Sequence, residues 1–236
     1  MGRPRVRKVS GSGDARRDIL AAAASLISRQ GLRATTLAQI ADVAGLQTPS
    51  LYYYFANKGA ILLELAVDAN RGPLTLVDLV NASDEAADIR LWSFVCLDLQ
   101  ALCALPFDIN EVHRFASEDP ASDEVYRQAR ERLIGEVASI VSAGVAEGSF
   151  RRVRARMTAL TLLGNDEGSQ NWMRVDRSAD PAEVGEFLAD FALRSLLTDA
   201  TEIDRIRRRG RKLVARLACE PLTPLAGAGE LTERSS

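Results

Sequence analysis

Residues 35–58 read TTLAQIADVAGLQTPSLYYYFANK, and this stretch decides the fold. The apolar residues of its first half recur at the spacing of one helix face, and Gly45 then favours the end of that helix because glycine adopts a positive φ without strain. These apolar residues are Leu37, Ile40, Ala41 and Ala44. Thr48 is the predicted N-cap of a second helix, with Pro49 at its first position, where a missing N–H costs nothing. The stretch therefore predicts two short helices joined by a tight turn.

The second helix of this pair carries three adjacent tyrosines. Leu51 and Phe55 share one face, which we expect to be buried, whereas Tyr52 and Tyr53 lie on the opposite face. So short a helix cannot bury three tyrosines together, so we predict that this opposite face is exposed. Two helices of this size also need a third behind them, which residues 14–31 supply. The pattern is that of a helix-turn-helix with its second helix available to a major groove.

Whole-chain composition places the protein among globular proteins, with 236 residues, 47% hydrophobic and 26% charged. Cys96 and Cys103 lie seven residues apart on one predicted helix, about 10 Å of rise, which is too far for a disulfide. No signal peptide or membrane segment is recognisable. We therefore expect a reduced, cytoplasmic protein that makes no contact with a membrane.

The charge distribution is more informative than the net charge of −2. Nine basic residues against three acidic ones give residues 1–58 a net charge of +6, which leaves −8 for residues 59–236. A basic N-terminal quarter joined to an acidic body is the arrangement expected of a phosphate-binding head on a separately working domain.

The head resembles the DNA-binding domain of TetR-family transcriptional regulators over residues 14–65. The family spacing T-T-x-x-x-I-A-x-x-A-G-x-x-x-x-x-L-Y-x-[HY]-F-x-x-K is matched by Thr35, Thr36, Ile40, Ala41, Ala44, Gly45, Leu51, Tyr52, Tyr54, Phe55 and Lys58. The resemblance implies an all-α homodimer, with an N-terminal three-helix head and a C-terminal helical domain for ligand binding and dimerisation. It also implies a repressor that a small-molecule effector releases from a palindromic operator.

These considerations divide the chain into four predicted segments. They are a disordered basic arm (1–13), the helix-turn-helix domain (14–60), the effector-binding and dimerisation domain (61–220) and a disordered tail (221–236).

The predicted DNA contacts lie on the head and its recognition helix. Thr36 starts the preceding helix, where its hydroxyl and free N–H groups can bind a phosphate. Gln47 can pair with adenine edges, and Pro49 and Tyr52 can pack on thymine methyl groups. The remaining groove candidates are Thr48, Ser50 and Tyr53. The family resemblance adds Tyr54 and Lys58 as phosphate contacts, with Asn57 capping the helix that follows.

The N-terminal arm allows two interpretations. Gly2-Arg3-Pro4-Arg5 resembles the core of an AT-hook, and an extended Arg-Pro-Arg segment fits the narrow minor groove of A·T-rich DNA, with Arg3 and Arg5 as its contacts. The alternative is a solvated leader. We favour the minor-groove arm, because it directly precedes a DNA-binding head.

The body is predicted to be helical throughout, with an apolar central helix over 83–105. Candidate residues for an apolar effector cavity are Trp92, Cys96, His113, Phe115 and Trp172, although all five could equally be core. The resemblance implies that the last helices before residue 197 form a four-helix dimer interface. Asp166 and Glu167 are expected to be solvated or to pair with arginines across that dimer. The arginine run 205–211 is interpreted as a solvated helix face rather than a second nucleic-acid patch.

Other functional classes have weaker support in the sequence. His113 is the only histidine and has no Cys-x-x-Cys or acidic cluster beside it, so we predict no metal site, no cofactor and no catalytic residue. Two alternatives stay open. One is a DNA-binding or architectural protein without an effector, and the other is an enzyme that carries a helix-turn-helix.

Overall fold

The computed structural model describes residues 14–118, 123–176 and 178–218. These residues form helices and connecting turns, with one isolated bridge between Phe150 and Leu197 and no strand, so the all-α prediction is confirmed. No helix within these ranges is long and apolar enough to cross a membrane. The helices are α1 (Ala15–Ala34), α2 (Leu37–Val43), α3 (Thr48–Tyr54), α4 (Lys58–Asn81), α5 (Ala87–Cys103), α6 (Ile109–Glu118), α7 (Asp123–Glu147), α8 (Ala155–Met173), α9 (Pro181–Leu196) and α10 (Ile203–Leu217).

Contacts divide the described chain into two compact units. One contains residues 14–69 together with residues 105–126, and the other contains residues 70–104 and those from 127 onward. The unit that holds the head thus also includes α6 and the first half of α4. The segment boundary after residue 60 stays a prediction.

In the first unit, α1 supports the head. Asp14 caps this helix by accepting hydrogen bonds from the backbone N–H groups of Arg16 and Arg17, at 3.0 and 3.4 Å. Its apolar face, which includes Ile19 and Ile27, is buried. Gly31 interrupts the helix with a φ of 79°, which agrees with the predicted end of the helix.

In the second unit, α5 lies at the centre. It packs against α8, α9 and α10, and nearly every face of it is buried, including Trp92 and Phe94. A helix that is apolar all round has no face to offer water, so its central position follows from its composition. The helix begins at Ala87 rather than near residue 83.

The arginine run on α10 lies on the solvent-facing side of the helix, with Arg208, Arg209 and Arg211 exposed, but it also forms ion pairs that the sequence did not predict. Arg205 pairs with Asp88 of α5 at 2.5 Å, and Arg209 pairs with Glu85 at 2.7 Å. Two further arginines bind acidic residues of α9, in the pairs Arg207–Asp190 and Arg211–Glu186. An acidic body surrounds these guanidinium groups with carboxylates, so they hold helices together rather than form a patch for nucleic acid.

The expectation for Asp166 and Glu167 is wrong. Only 1% of Asp166 is exposed, because it points toward α5 rather than into solvent. Glu167 pairs with Arg130 of its own chain. Adjacent residues on a helix point in different directions, but here both directions lead into packed structure.

Candidate nucleic-acid interface

The start of α2 is closed by a reciprocal pair of hydrogen bonds. Thr36 is the N-cap, and its Oγ1 accepts from the backbone N–H of Gln39 at 3.3 Å. The Gln39 Oε1 in turn accepts from the backbone N–H of Thr36 at 2.9 Å. This is a capping box, so Thr36 starts the helix as predicted. The sequence analysis missed Gln39, although a threonine followed three residues later by glutamine is a recognisable signal.

The turn after α2 depends on a left-handed glycine. Gly45 has a φ of 75°, and the Leu46 N–H donates to the Ala41 carbonyl at 2.8 Å. A Cβ on Gly45 would meet no atom within 4 Å, so the position needs glycine for its backbone angle and not for space. The predicted end of the helix is confirmed.

The N-cap of α3 is Gln47, so the prediction that assigned it to Thr48 is wrong. The Gln47 carbonyl accepts from the N–H groups of Ser50 and Leu51, at 2.9 and 3.3 Å, which makes it the first acceptor of the helix. Pro49 therefore occupies the second helical position, where its missing N–H still leaves no bond unmade. The Gln47 side chain makes no cap hydrogen bond and is exposed.

The two faces of α3 differ sharply in exposure. Leu51 and Phe55 are buried, whereas Tyr53 is 87% exposed and Tyr52 53% exposed. The Tyr54 ring meets the Tyr53 ring edge-on, with centroids 5.2 Å apart. Tyrosine presents an aromatic face and a hydroxyl to a partner at the cost of only two side-chain torsions, and neither Tyr52 nor Tyr53 is buried in the core.

The other predicted DNA contacts are distributed around this helix. Thr36, Gln47, Pro49, Ser50, Tyr52 and Tyr53 are exposed, and Thr48, Tyr54 and Lys58 are partly buried. The structure therefore brings this set together on one head. Arg3 and Arg5 lie outside the described residues.

Lys58 has an internal partner in the structure. Its Nζ donates to the carbonyl of Leu32, and burial lowers the pKa of the ammonium group. Beside it, the Asn57 Oδ1 accepts from the backbone N–H of Ala60 at 2.8 Å, as the predicted cap of α4.

Arg16 fixes the end of α3 to its neighbours, and the sequence analysis missed this. Its Nη1 donates to the Tyr54 carbonyl at 3.1 Å, and its guanidinium group pairs with Glu64. The same group lies 4.4 Å from the centre of the Phe55 ring. The hydrogen bond to Glu64 raises the pKa of Arg16, so the residue stays charged while it satisfies an otherwise free carbonyl.

The predicted effector-cavity residues are divided between the two units. Trp92 is buried between helices, where its Nε1 donates to Asp190 at 2.8 Å. Cys96 is also buried, with the backbone of α9 packed against it at Gly185. Trp172 is 44% exposed on α8. His113 and Phe115 belong to the first unit and are partly buried there, so the assignment of these five residues to an effector site stays a prediction.

The outer faces of α8 and α9 carry an apolar surface that we call the aromatic surface. It includes Phe187 and Phe191, 65% and 61% exposed, whose rings are stacked with centroids 6.4 Å apart. A groove of about 340 Å³ lies beside them, and Gly164 and Gly168 form part of its floor. Exposed apolar patches of this kind mark interaction sites.

No group of three or more potential metal ligands occurs in the part of the chain that the structure describes. The head instead combines an exposed tyrosine face with a rigid support, which suits contact with a nucleic acid.

Comparisons with known proteins agree with this geometry. Residues 19–65 match the family model for bacterial regulatory proteins of the tetR family, and residues 111–196 match the tetracyclin repressor-like C-terminal domain. The HTH-type transcriptional repressor KstR2 of Mycobacterium tuberculosis is 31% identical over 160 residues, which cover 61% of this chain and 74% of that protein. KstR2 of Rhodococcus jostii is 29% identical over 155 residues, covering 63% and 74%.

Solved structures show the same fold. The crystal structure of Mycobacterium smegmatis AmtR superposes with a TM-score of 0.67 at 25% identity, and the match covers 91% of this chain and all of AmtR. The structure of KstR2 from M. tuberculosis gives a TM-score of 0.65 at 23% identity, covering 83% and 100%. The head, the body and the curated relatives agree, and the chain therefore belongs to the TetR family of DNA-binding transcriptional regulators.

Proposed function

We propose that this protein is a homodimeric repressor whose two heads bind the halves of a palindromic operator. The observation that carries the proposal is the exposed face of α3, where Tyr52 and Tyr53 stand out from a helix whose other side is buried. The two KstR2 relatives named above are called repressors, which supports the direction of regulation. A symmetric dimer matches a palindromic site because each half-site meets the same surface.

The aromatic surface on α8 and α9 is the proposed dimer interface. Phe187 and Phe191 are too exposed for a monomer of otherwise ordinary surface, and the adjacent glycines leave room for another helix to approach. A face that offers both protruding rings and a groove can pair with its own copy about a twofold axis.

Release by a small-molecule effector is the proposed regulation. Such an effector must bind a form of low operator affinity more tightly than the DNA-bound form, because equal affinity for both would shift nothing. The second candidate is an effector-independent DNA-binding protein, and the burial of Trp92 and Cys96 in closely packed structure favours it.

Three further assignments belong to this proposal. The protein acts in the cytoplasm, where the DNA is, and it has no catalytic role of its own. Arg3 and Arg5 of the arm reach the minor groove beside each half-site.

The tyrosine face provides the direct test. We expect Tyr52→Ala and Tyr53→Ala each to weaken binding to an operator selected from a random DNA pool by about tenfold or more, since one good base contact contributes roughly 1–3 kcal/mol. Arg208→Ala is the matched control, because this exposed cation lies on α10 in the body. Fluorescence anisotropy measures affinity, and thermal unfolding shows that each variant stays folded. Unchanged affinity in both tyrosine variants would contradict the proposal.

A further inference from the structure

Two buried acids face each other across the contact between α5 and α8. Asp98 and Asp166 are each only 1% exposed, and their carboxyl groups lie within hydrogen-bonding reach of one another. One turn further along, the Gln170 Nε2 donates to the Leu102 carbonyl at 2.6 Å, so both helices are closely packed at this point. The acids therefore lie inside a packed contact and not at its edge.

Three of the four oxygens of this carboxyl pair lack a hydrogen-bond donor in the described part of the chain. They are Asp98 Oδ1 and both oxygens of Asp166. A buried carboxylate without a donor is costly, and two of them side by side cost more. A proton shared between them removes one charge and supplies the missing hydrogen bond at the same time.

The surrounding charges do not replace that proton. From α7, Arg130 faces the pair, but Glu167 of α8 already engages its guanidinium group. The thiols of Cys96 and Cys103 on α5 also lie near Asp166, and burial raises the pKa of both, so they are neutral at ordinary pH. The net surroundings of the two acids thus favour the protonated form.

We propose that Asp98 and Asp166 bind one shared proton, and that this proton holds α8 against α5. Since the opposite face of α8 borders the aromatic surface, the proton makes that surface depend on pH. This last step rests on the proposed dimer, whereas the proton site does not.

The direction of the pH dependence follows from the two groups. Burial, and then the charge of Glu167, raises the pKa of Asp98 to about 7. Burial, and then the charge of Asp98, raises the pKa of Asp166 well above its usual value. An Asp in the unfolded chain has a pKa of about 4. The pair therefore contributes stability that is fully present below about pH 4 and is lost as the pH rises through about 7 for Asp98.

The experiment compares the wild type with the double variant Asp98→Asn/Asp166→Asn, which keeps the shape and cannot ionise. Between pH 5 and 7 the folding equilibrium constant of the wild type should fall more than tenfold relative to that of the double variant, measured by urea unfolding. Glu183→Gln, which removes one exposed carboxylate of α9, should keep the wild-type dependence.

A second measurement does not depend on the double variant. Carbon-13 NMR of aspartate carboxyl groups should show two that titrate together near neutral pH, and either single Asp→Asn change assigns them. Two separate titrations in the ordinary acidic range would overturn the proton site. Sedimentation of the wild type at pH 6 and 8 tests whether the proposed dimer depends on this proton. A dimer that is equally stable at both pH values refutes the link between the proton and the aromatic surface. A monomer at both pH values refutes the dimer, and the NMR result then still decides whether the proton site exists.

Discussion

At the scale of single residues, the close contact of Gly210 with Trp92 shows how the body is packed. A Cβ on Gly210 would lie 2.2 Å from Cε3 of the indole ring, far inside van der Waals contact. The same ring donates its N–H to Asp190, which also binds Arg207. The indole therefore cannot move aside without loss of a hydrogen bond, and the position requires the smallest side chain.

Gly210→Ala should consequently destabilise the protein, by about 1–3 kcal/mol for an overpacked core position. Gly135→Ala on α7 is the control, because a Cβ there meets nothing within 4 Å and alanine is the better helix former. Urea unfolding followed by circular dichroism measures both. If the two variants changed stability in the same direction, the packing argument would fail.

The surroundings of a residue could be predicted from the sequence only where they depend on its near neighbours in the chain. The exposure of Tyr52 and Tyr53 could be predicted because it follows from the periodicity of one short helix. The burial of Asp98 and Asp166 could not, since it arises where two helices distant in sequence meet. The same holds for the arginines of α10, whose acidic partners lie on α5 and α9.

At the scale of elements, the head is specified by local signals. The threonine cap, the left-handed glycine and the early proline each act within a few residues, so the sequence predicts α2 and α3 well. The error of one residue at the start of α3 has a local cause too. The backbone carbonyl of a residue can accept the first hydrogen bond of a helix even when the side chain of that residue makes none. Gln47 is therefore the N-cap of α3 although its side chain makes no cap hydrogen bond.

The contribution of the Thr36 cap to the stability of α2 can be tested by substitution. Thr36→Ala removes the acceptor for the Gln39 N–H and should cost about 1 kcal/mol, which corresponds to roughly fivefold faster amide hydrogen exchange over α2. Thr36→Ser keeps a hydroxyl and should keep the protection. Equal exchange in the alanine and serine variants would show that the capping box adds nothing.

At the scale of the whole molecule, the family relationship and the aromatic surface both support the proposed dimer. The sequence indicated an interface in the last helices through resemblance alone, because apolar residues on a helix do not reveal whether they face the core or a partner. The structure separates the two, burying Leu193 and leaving Phe187 and Phe191 exposed. Such a distinction needs the packing of α5 against α9, which no local pattern contains.

Phe191→Glu should therefore convert the proposed dimer to a monomer, because a carboxylate would be buried in the proposed interface. Val125→Glu, at an apolar position of α7 that is 60% exposed, is the matched control and should leave the dimer intact. Analytical ultracentrifugation measures the assembly. A dimer that survives Phe191→Glu would place the interface elsewhere.

The hydrogen bond from Lys58 to Leu32 bears on how strongly the head can attract a polyanion. Five of its basic side chains lie within the described residues, and two of them, Arg16 and Lys58, already serve partners inside the fold. Arg17, Arg29 and Arg33 remain on the surface. Ions condensed on DNA are displaced by cations that are free to approach the phosphates. The formal charge of the head is thus larger than the number of cations that are free to bind phosphates. We therefore expect the salt dependence of DNA affinity to be weaker than a count of lysines and arginines implies.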